Sequence, residues 1–104
     1  MILMRLTQPN GKLNEILVTG HAGYAKHGQD IVCAAVSAAT LVTANAILHL
    51  KLNDAIHLDV KEGYFKATLK KHDDIVIKLL ENLEYTLLDL EKQYPKYIKN
   101  QKEG

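Results

Sequence analysis

The beginning of the chain places apolar side chains with the two-residue period of β-strands. Apolar residues occupy every second position in residues 2–6, and a second strand-like run extends over residues 13–19. Between these runs, Asn10 and Gly11 tolerate positive φ angles and therefore favour a tight reversal. The pattern predicts a β-hairpin. Residues 56–60 and 65–69 alternate in the same way around Lys61-Glu62-Gly63, which predicts a second hairpin.

Two other segments have the composition and spacing of helices. Residues 31–50 are rich in alanine and apolar on nearly every side, which predicts a centrally buried helix. Asp30 precedes this segment and is a favourable N-cap. A later helix begins at Asp73 or Asp74 and ends at Pro95. Its apolar positions recur at steps of four and three residues: Val76, Leu80, Leu83, Leu87, Leu90 and Tyr94.

The order of elements is β-β-α-β-β-α, which predicts an α+β fold with a single sheet of two hairpins and two helices packed on it. At 104 residues the chain has room for one core, so we expect one domain over residues 1–104. The last ten residues, 95–104, are mostly polar and are expected to form a frayed tail.

Composition narrows the class of protein further. A net charge of +1 argues against a protein that holds nucleic acid mainly by charge. The apolar stretch at residues 31–50 contains polar side chains that would lack partners in lipid, so we expect no membrane span. The single cysteine excludes an internal disulfide, and together these features favour the cytoplasm.

One segment, residues 21–33, combines a glycine-containing loop with imidazole, carboxylate and thiol groups. Cys33 lies in the first turn of the predicted helix, where unpaired N–H groups and the helix dipole favour an anionic sulfur. His21 ends the preceding strand, and a loop of this length can return it over the helix start. A thiol beside an imidazole is the usual arrangement of an activated cysteine nucleophile.

Each of these residues also has a structural interpretation. A single cysteine on an alanine-rich helix is commonly a small buried apolar side chain. Ser37 can bond back to its own helix, Asp30 can serve only as a cap, and His27 is most simply a solvated loop residue. A zinc site formed by His21, His27, Cys33 and Asp30 competes with these interpretations. Since the spacings match no compact zinc pattern, we expect neither a metal nor another cofactor.

Two stretches of the segment closely resemble the signature of the ribosomal-processing cysteine proteases: GHAGYA at residues 20–25 and GQDIVCAAVS at residues 28–37. The predicted element order and the chain length agree with that family. The resemblance implies a cysteine endopeptidase that removes the N-terminal extension of a large-subunit ribosomal protein, number twenty-seven of the L series. It implies His21 as base, Cys33 as nucleophile, and a homodimer. The supporting residues that it implies are Asp30 and Ser37, and the loop hinges are Gly20 and Gly23.

The chemistry of the segment is compatible with peptide cleavage. N–H groups at the helix start are ready donors to the oxyanion that forms when a thiolate attacks a carbonyl. Apolar surface beyond what one sheet face can cover predicts a partner surface, for which a second copy of the chain is the simplest occupant. Two other classes stay open: a non-catalytic ribosome- or RNA-associated binding module, and a thiol hydrolase or redox sensor for small molecules.

Overall fold

A computed structural model of the chain describes the backbone of residues 1–26 and 29–103, and side chains up to residue 101. It contains five strands and two helices: β1 Ile2–Thr7, β2 Glu15–Thr19, α1 Ile31–His49, β3 Ile56–Lys61, β4 Tyr64–Leu69, α2 Asp74–Gln93 and β5 Ile98–Glu103. The predicted α+β class and both hairpins are confirmed. His27, which was interpreted as a solvated loop residue, lies outside the described residues.

The strands form one mixed sheet in the order β3-β4-β2-β1-β5. The antiparallel hairpins β1–β2 and β3–β4 are joined side by side through β2 and β4, where Val18 lies opposite Phe65. The Asn10-Gly11 reversal has φ angles of 57° and 76°, as that turn chemistry requires. The alternation of buried and less buried residues along β1, β2 and β4 gives the sheet one core face and one solvent face.

Both helices pack on the core face and touch each other. In α2, the predicted stripe is buried at Val76, Leu80, Leu83 and Leu87, and the Asp73 carboxylate caps the helix by accepting from the N–H groups of Ile75 and Val76. The predicted spacing and cap are therefore confirmed.

Helix α1 is not buried on every side, and the prediction of a centrally buried helix was wrong. One face is buried, while Val42 on the opposite face is 67% exposed and Leu41 and Leu48 are each 48% exposed. The reason is that a two-layer fold covers only the sheet side of a helix. By length and composition alone α1 could cross a membrane, but core helices pass the same test, and one third of the apolar stretch is buried here.

The tail predicted to fray instead forms β5, which pairs in parallel with β1. The Ile2 N–H donates to the Tyr97 carbonyl at 2.8 Å, and Ile98 is 1% exposed. The tail has no apolar alternation, so its sequence gave no sign of a strand. The pairing satisfies backbone groups of β1 that would otherwise form an open sheet edge.

Candidate active site

Cys33 is the third residue of α1 and is half-buried. Asp30 occupies the N-cap position with an extended backbone, and its Oδ1 accepts from the N–H groups of Val32 at 3.0 Å and Cys33 at 2.9 Å. The capped helix start holds the thiol at the positive end of the helix dipole, as the sequence predicts.

The second oxygen of Asp30 ties the helix start to the loop that follows β2. Its Oδ2 accepts from the Tyr24 N–H at 3.0 Å. The Cys33 N–H lowers the pKa of the Asp30 carboxyl group below its ordinary value of 3.8, and the Tyr24 and Ala25 N–H groups add to this, although desolvation opposes it. Asp30 is therefore a carboxylate at neutral pH, and it is more than a cap.

The segment carrying His21 is fixed where it leaves β2. Gly20 has φ +97° and donates its N–H to the Gly63 carbonyl, in the β3–β4 turn, at 3.0 Å. A side-chain carbon at Gly20 would lie 2.4 Å from the Met1 carbonyl oxygen. Both the backbone angle and the close approach therefore require glycine at this position.

The His21 imidazole is exposed and rests against the β3–β4 turn. A methyl group added at Gly63 would lie 2.8 Å from His21 Nε2. The Cys33 sulfur instead accepts from the Ala22 N–H at 3.1 Å. Among the described side chains, no hydrogen bond joins the imidazole to the thiol, so the two must approach each other before a proton can pass between them. Catalytic hydrogen bonds are often open in free enzymes.

A cavity of about 740 Å³ lies between α1, the end of β2 and the β3–β4 turn. All six residues singled out from the sequence line it: Gly20, His21, Gly23, Asp30, Cys33 and Ser37. Its other walls include Val36, Val60 and Phe65, so polar reactive groups lie beside apolar surface that can take up part of a ligand.

Ser37 lies one turn along α1 from Cys33, on the cavity wall, with its side chain exposed. The back-bonding considered for Ser37 occurs at other residues: the Thr40 hydroxyl donates to the Ser37 carbonyl, and the Thr43 hydroxyl to the Ala39 carbonyl. Ser37 is thus placed to face a ligand, one turn from the thiol.

Sequence reasoning missed the contribution of the β3–β4 turn. Residues 60–65 all line the cavity, and Gly63 contacts both Gly20 and His21. The turn was identified correctly as a hairpin, but no local pattern relates Gly63 to Gly20 and His21, which lie more than forty residues earlier in the chain.

Three N–H groups at the helix start are already engaged, which the sequence did not predict. Those of Val32 and Cys33 donate to the Asp30 carboxylate, and that of Ala34 donates to the Asp30 carbonyl. None of these three is free to donate to an oxyanion at Cys33. In the part of the chain that the structure describes, no group of three His, Cys, Asp or Glu side chains is arranged to hold a metal ion.

Comparison with protein families matches residues 1–99 to the model described as cysteine protease Prp. Two relatives are named ribosomal processing cysteine protease Prp. The Staphylococcus aureus protein is 29% identical over 102 residues, covering 95% of this chain and 96% of its own length. The Bacillus subtilis protein is 34% identical over 84 residues, covering 74% of each chain.

Solved structures share the fold over nearly the whole chain. The S. aureus protease Prp in complex with a covalently linked product peptide has a TM-score of 0.86 and 27% identity, covering 99% of this chain and 100% of its own. The same protease with a substrate peptide gives a TM-score of 0.79 at 26% identity, with the same coverage. The fold described above is thus similar to one that holds peptides.

Proposed function

Because this chain belongs to the family of Prp cysteine proteases, we propose that it removes the N-terminal extension of a large-subunit ribosomal protein, number twenty-seven of the L series. The chain is a cysteine peptidase. Two relatives are named for ribosomal processing, and a related structure holds a substrate peptide, which supports a peptide as substrate here. The observation that carries the proposal is the shared cavity of Cys33 and His21 at a capped helix start.

In the proposed reaction, His21 takes the thiol proton of Cys33, and the sulfur attacks the carbonyl carbon of the scissile peptide bond. The tetrahedral oxyanion collapses, the C–N bond breaks, and His21 returns the proton to the leaving amine. A water molecule then attacks the thioester while His21 accepts its proton, which releases the acid and restores the thiol. In this proposal the exposed imidazole, which lies beside Gly63 in the free protein, rotates toward the sulfur.

The supporting residues have distinct roles in this proposal. Asp30 orients the helix start and the loop together through its two oxygens. Ser37 lies on the cavity wall, where its hydroxyl can bind the peptide backbone. Gly20 and Gly23, with φ angles of +97° and +73°, are the hinges of a loop that closes over the substrate.

We also propose that the protein acts as a homodimer in the cytoplasm. The exposed apolar side chains of α1, among them Val42 and Leu48, support a second copy of the chain as partner. The cytoplasm is where ribosomal proteins are made, and a single free thiol suits a reducing compartment.

The decisive test incubates the purified protein with the extended ribosomal protein and identifies the products by mass. We expect Cys33→Ala to abolish cleavage, and His21→Ala to reduce it by about 10²- to 10⁴-fold, while circular dichroism shows both variants folded. His57→Ala, an exposed imidazole on β3, is the matched control and should cleave normally. A folded Cys33→Ala protein that cleaves at the normal rate would refute the proposal.

A further inference from the structure

The donor that stabilises the oxyanion of the tetrahedral intermediate is still to be assigned, because the N–H groups of Val32 and Cys33 at the helix start are already engaged by Asp30. In many proteases the nucleophile's own N–H serves this purpose. Here it would have to break its bond to a carboxylate whose pKa is lowered chiefly by that same N–H, so this bond favours the charged carboxylate.

The N–H of Ala22 is aimed at the reacting atom. It donates to the Cys33 sulfur at 3.1 Å, from the loop side of the thiol. Once the sulfur has bonded to a carbonyl carbon, the resulting oxyanion is two bonds from the sulfur. It can therefore come within hydrogen-bond reach of a donor that already contacts the sulfur, when the carbonyl oxygen points to the loop side of the thiol.

The Ala22 N–H is also held in place before any substrate binds. The Ala22 side chain is 5% exposed, although the flanking residues His21 and Gly23 are exposed. On one side, the Gly20 N–H is bonded to the Gly63 carbonyl. On the other, the Tyr24 N–H is bonded to Asp30. A donor fixed in advance stabilises developing charge without reorganisation during the reaction.

We propose that the backbone N–H of Ala22 is a donor of the oxyanion hole, binding the sulfur in the free protein and the oxyanion in the tetrahedral intermediate. This inference rests on the proposed function. It assigns to the glycine loop a catalytic role in addition to closure, since the loop supplies a group that touches the reacting atoms.

The test replaces Ala22 by lactic acid, which exchanges the N–H for an ester oxygen and keeps the side chain. We expect kcat to fall by about 10²- to 10³-fold, with KM nearly unchanged. Affinity for a peptide aldehyde, which forms an oxyanion at Cys33, should fall in parallel. Alkylation of the fully ionised thiol by iodoacetamide forms no oxyanion and should keep its rate. The matched control is lactic acid at Ala38, an exposed site on α1, where an N–H of the helix interior is lost.

An unchanged kcat would overturn the inference. Equal losses in the rates of cleavage and alkylation would also overturn it, because they would mean that the N–H stabilises only the thiolate. In the unsubstituted protein, the Ala22 amide proton should move downfield in NMR when the aldehyde binds, and an unmoved resonance would also contradict the inference. Failure of the proposed function is distinguishable, because it would appear as absence of cleavage by the unsubstituted protein.

Discussion

At the scale of single residues, Asp30 joins the start of α1 to the loop after β2, because its two oxygens accept from different segments of the backbone. One oxygen caps α1, and the other holds the loop through the Tyr24 N–H. An asparagine retains one accepting oxygen but presents an amide NH2 group, which can only donate, where the second oxygen stood. It therefore distinguishes the two functions.

We expect Asp30→Asn to preserve the helix cap and weaken the tie to the loop. The unfolding midpoint should stay close to that of the unsubstituted protein, while kcat falls by about tenfold to a hundredfold, as for a reacting group displaced by about 1 Å. Asp30→Ala removes both bonds and should lower the midpoint as well. Equal midpoints for the alanine and unsubstituted proteins would contradict the cap.

The pH dependence of unfolding tests how much the Asp30 carboxylate contributes to stability. Because the folded-state pKa of Asp30 lies below 3.8, its contribution is fully present above that value and is lost as the pH falls through the lower folded-state pKa. Denaturant unfolding should therefore show a constant difference between unsubstituted and Asp30→Ala proteins from pH 7 to about 5, and a shrinking difference in stronger acid.

Gly63 offers a second prediction at this scale. Gly63 and Gly11 have similar φ angles, +68° and +76°, but a methyl group at Gly63 would meet the His21 ring, whereas one at Gly11 would meet nothing within 4 Å. Both alanine substitutions should cost about 1–2 kcal/mol of stability through backbone strain. Only Gly63→Ala should lower kcat, by about tenfold or more, because it displaces His21, the proposed base. Equal activity of the two variants in a peptide-cleavage assay would refute this role.

At the scale of elements, the loop after β2 is the part of the site that joins the others. Besides its backbone bonds to Gly63 and Asp30, it is anchored by the Tyr24 ring. This ring makes edge contacts with Tyr94 at 6.0 Å and Tyr97 at 5.2 Å, between ring centroids. Anchored ends with glycine between them suit a segment that moves as a unit around fixed points.

We expect the backbone amides at residues 23–26 to exchange hydrogen faster than those in the middle of α1 when no substrate is present, and to slow when a product peptide binds. Gly23→Ala should lower kcat because alanine resists φ +73°. Since a methyl group at Gly23 would meet no atom of the described residues within 4 Å, the expected cause is the backbone angle and not a clash with them. Loop amides as protected as those of α1 in the free protein would contradict the closing loop.

At the scale of the whole molecule, the outer face of α1 is an apolar surface that the fold leaves uncovered. The sheet and α2 cover only the inner face, while Val42 and Leu48 point outward. Burying such side chains against a second copy would remove apolar area from water at about 25 cal/mol per Å².

If the protein is the proposed dimer, we expect Val42→Lys combined with Leu48→Lys to convert it into a monomer, as measured by light scattering at micromolar concentration. Tyr85→Lys, which changes a 73% exposed side chain on α2, is the control and should leave the dimer intact. An unsubstituted protein that is monomeric and fully active would contradict the proposed dimer.

The sequence by itself determined the two hairpins, both helix caps and the stripe of α2. These depend on interactions within a few residues, such as the Asn10-Gly11 reversal and the Asp73 carboxylate on its own helix start. It also brought together six residues of the candidate site, between Gly20 and Ser37, by their resemblance to a family signature, and each of the six lines one cavity.

Only the tertiary structure decided the rest, because the partners are distant along the chain. The polar tail became β5 by pairing with β1, the β3–β4 turn reached the site through Gly63, and α1 turned one apolar face outward. Asp30 shows that this limit of sequence-based prediction also applies to residues only six positions apart. Its residue type predicted a cap, but the path of the backbone decided that it also engages the Tyr24 N–H, and left the Ala22 N–H facing the sulfur. Periodicity reports which face of an element is apolar, whereas the packing of elements determines what that face meets.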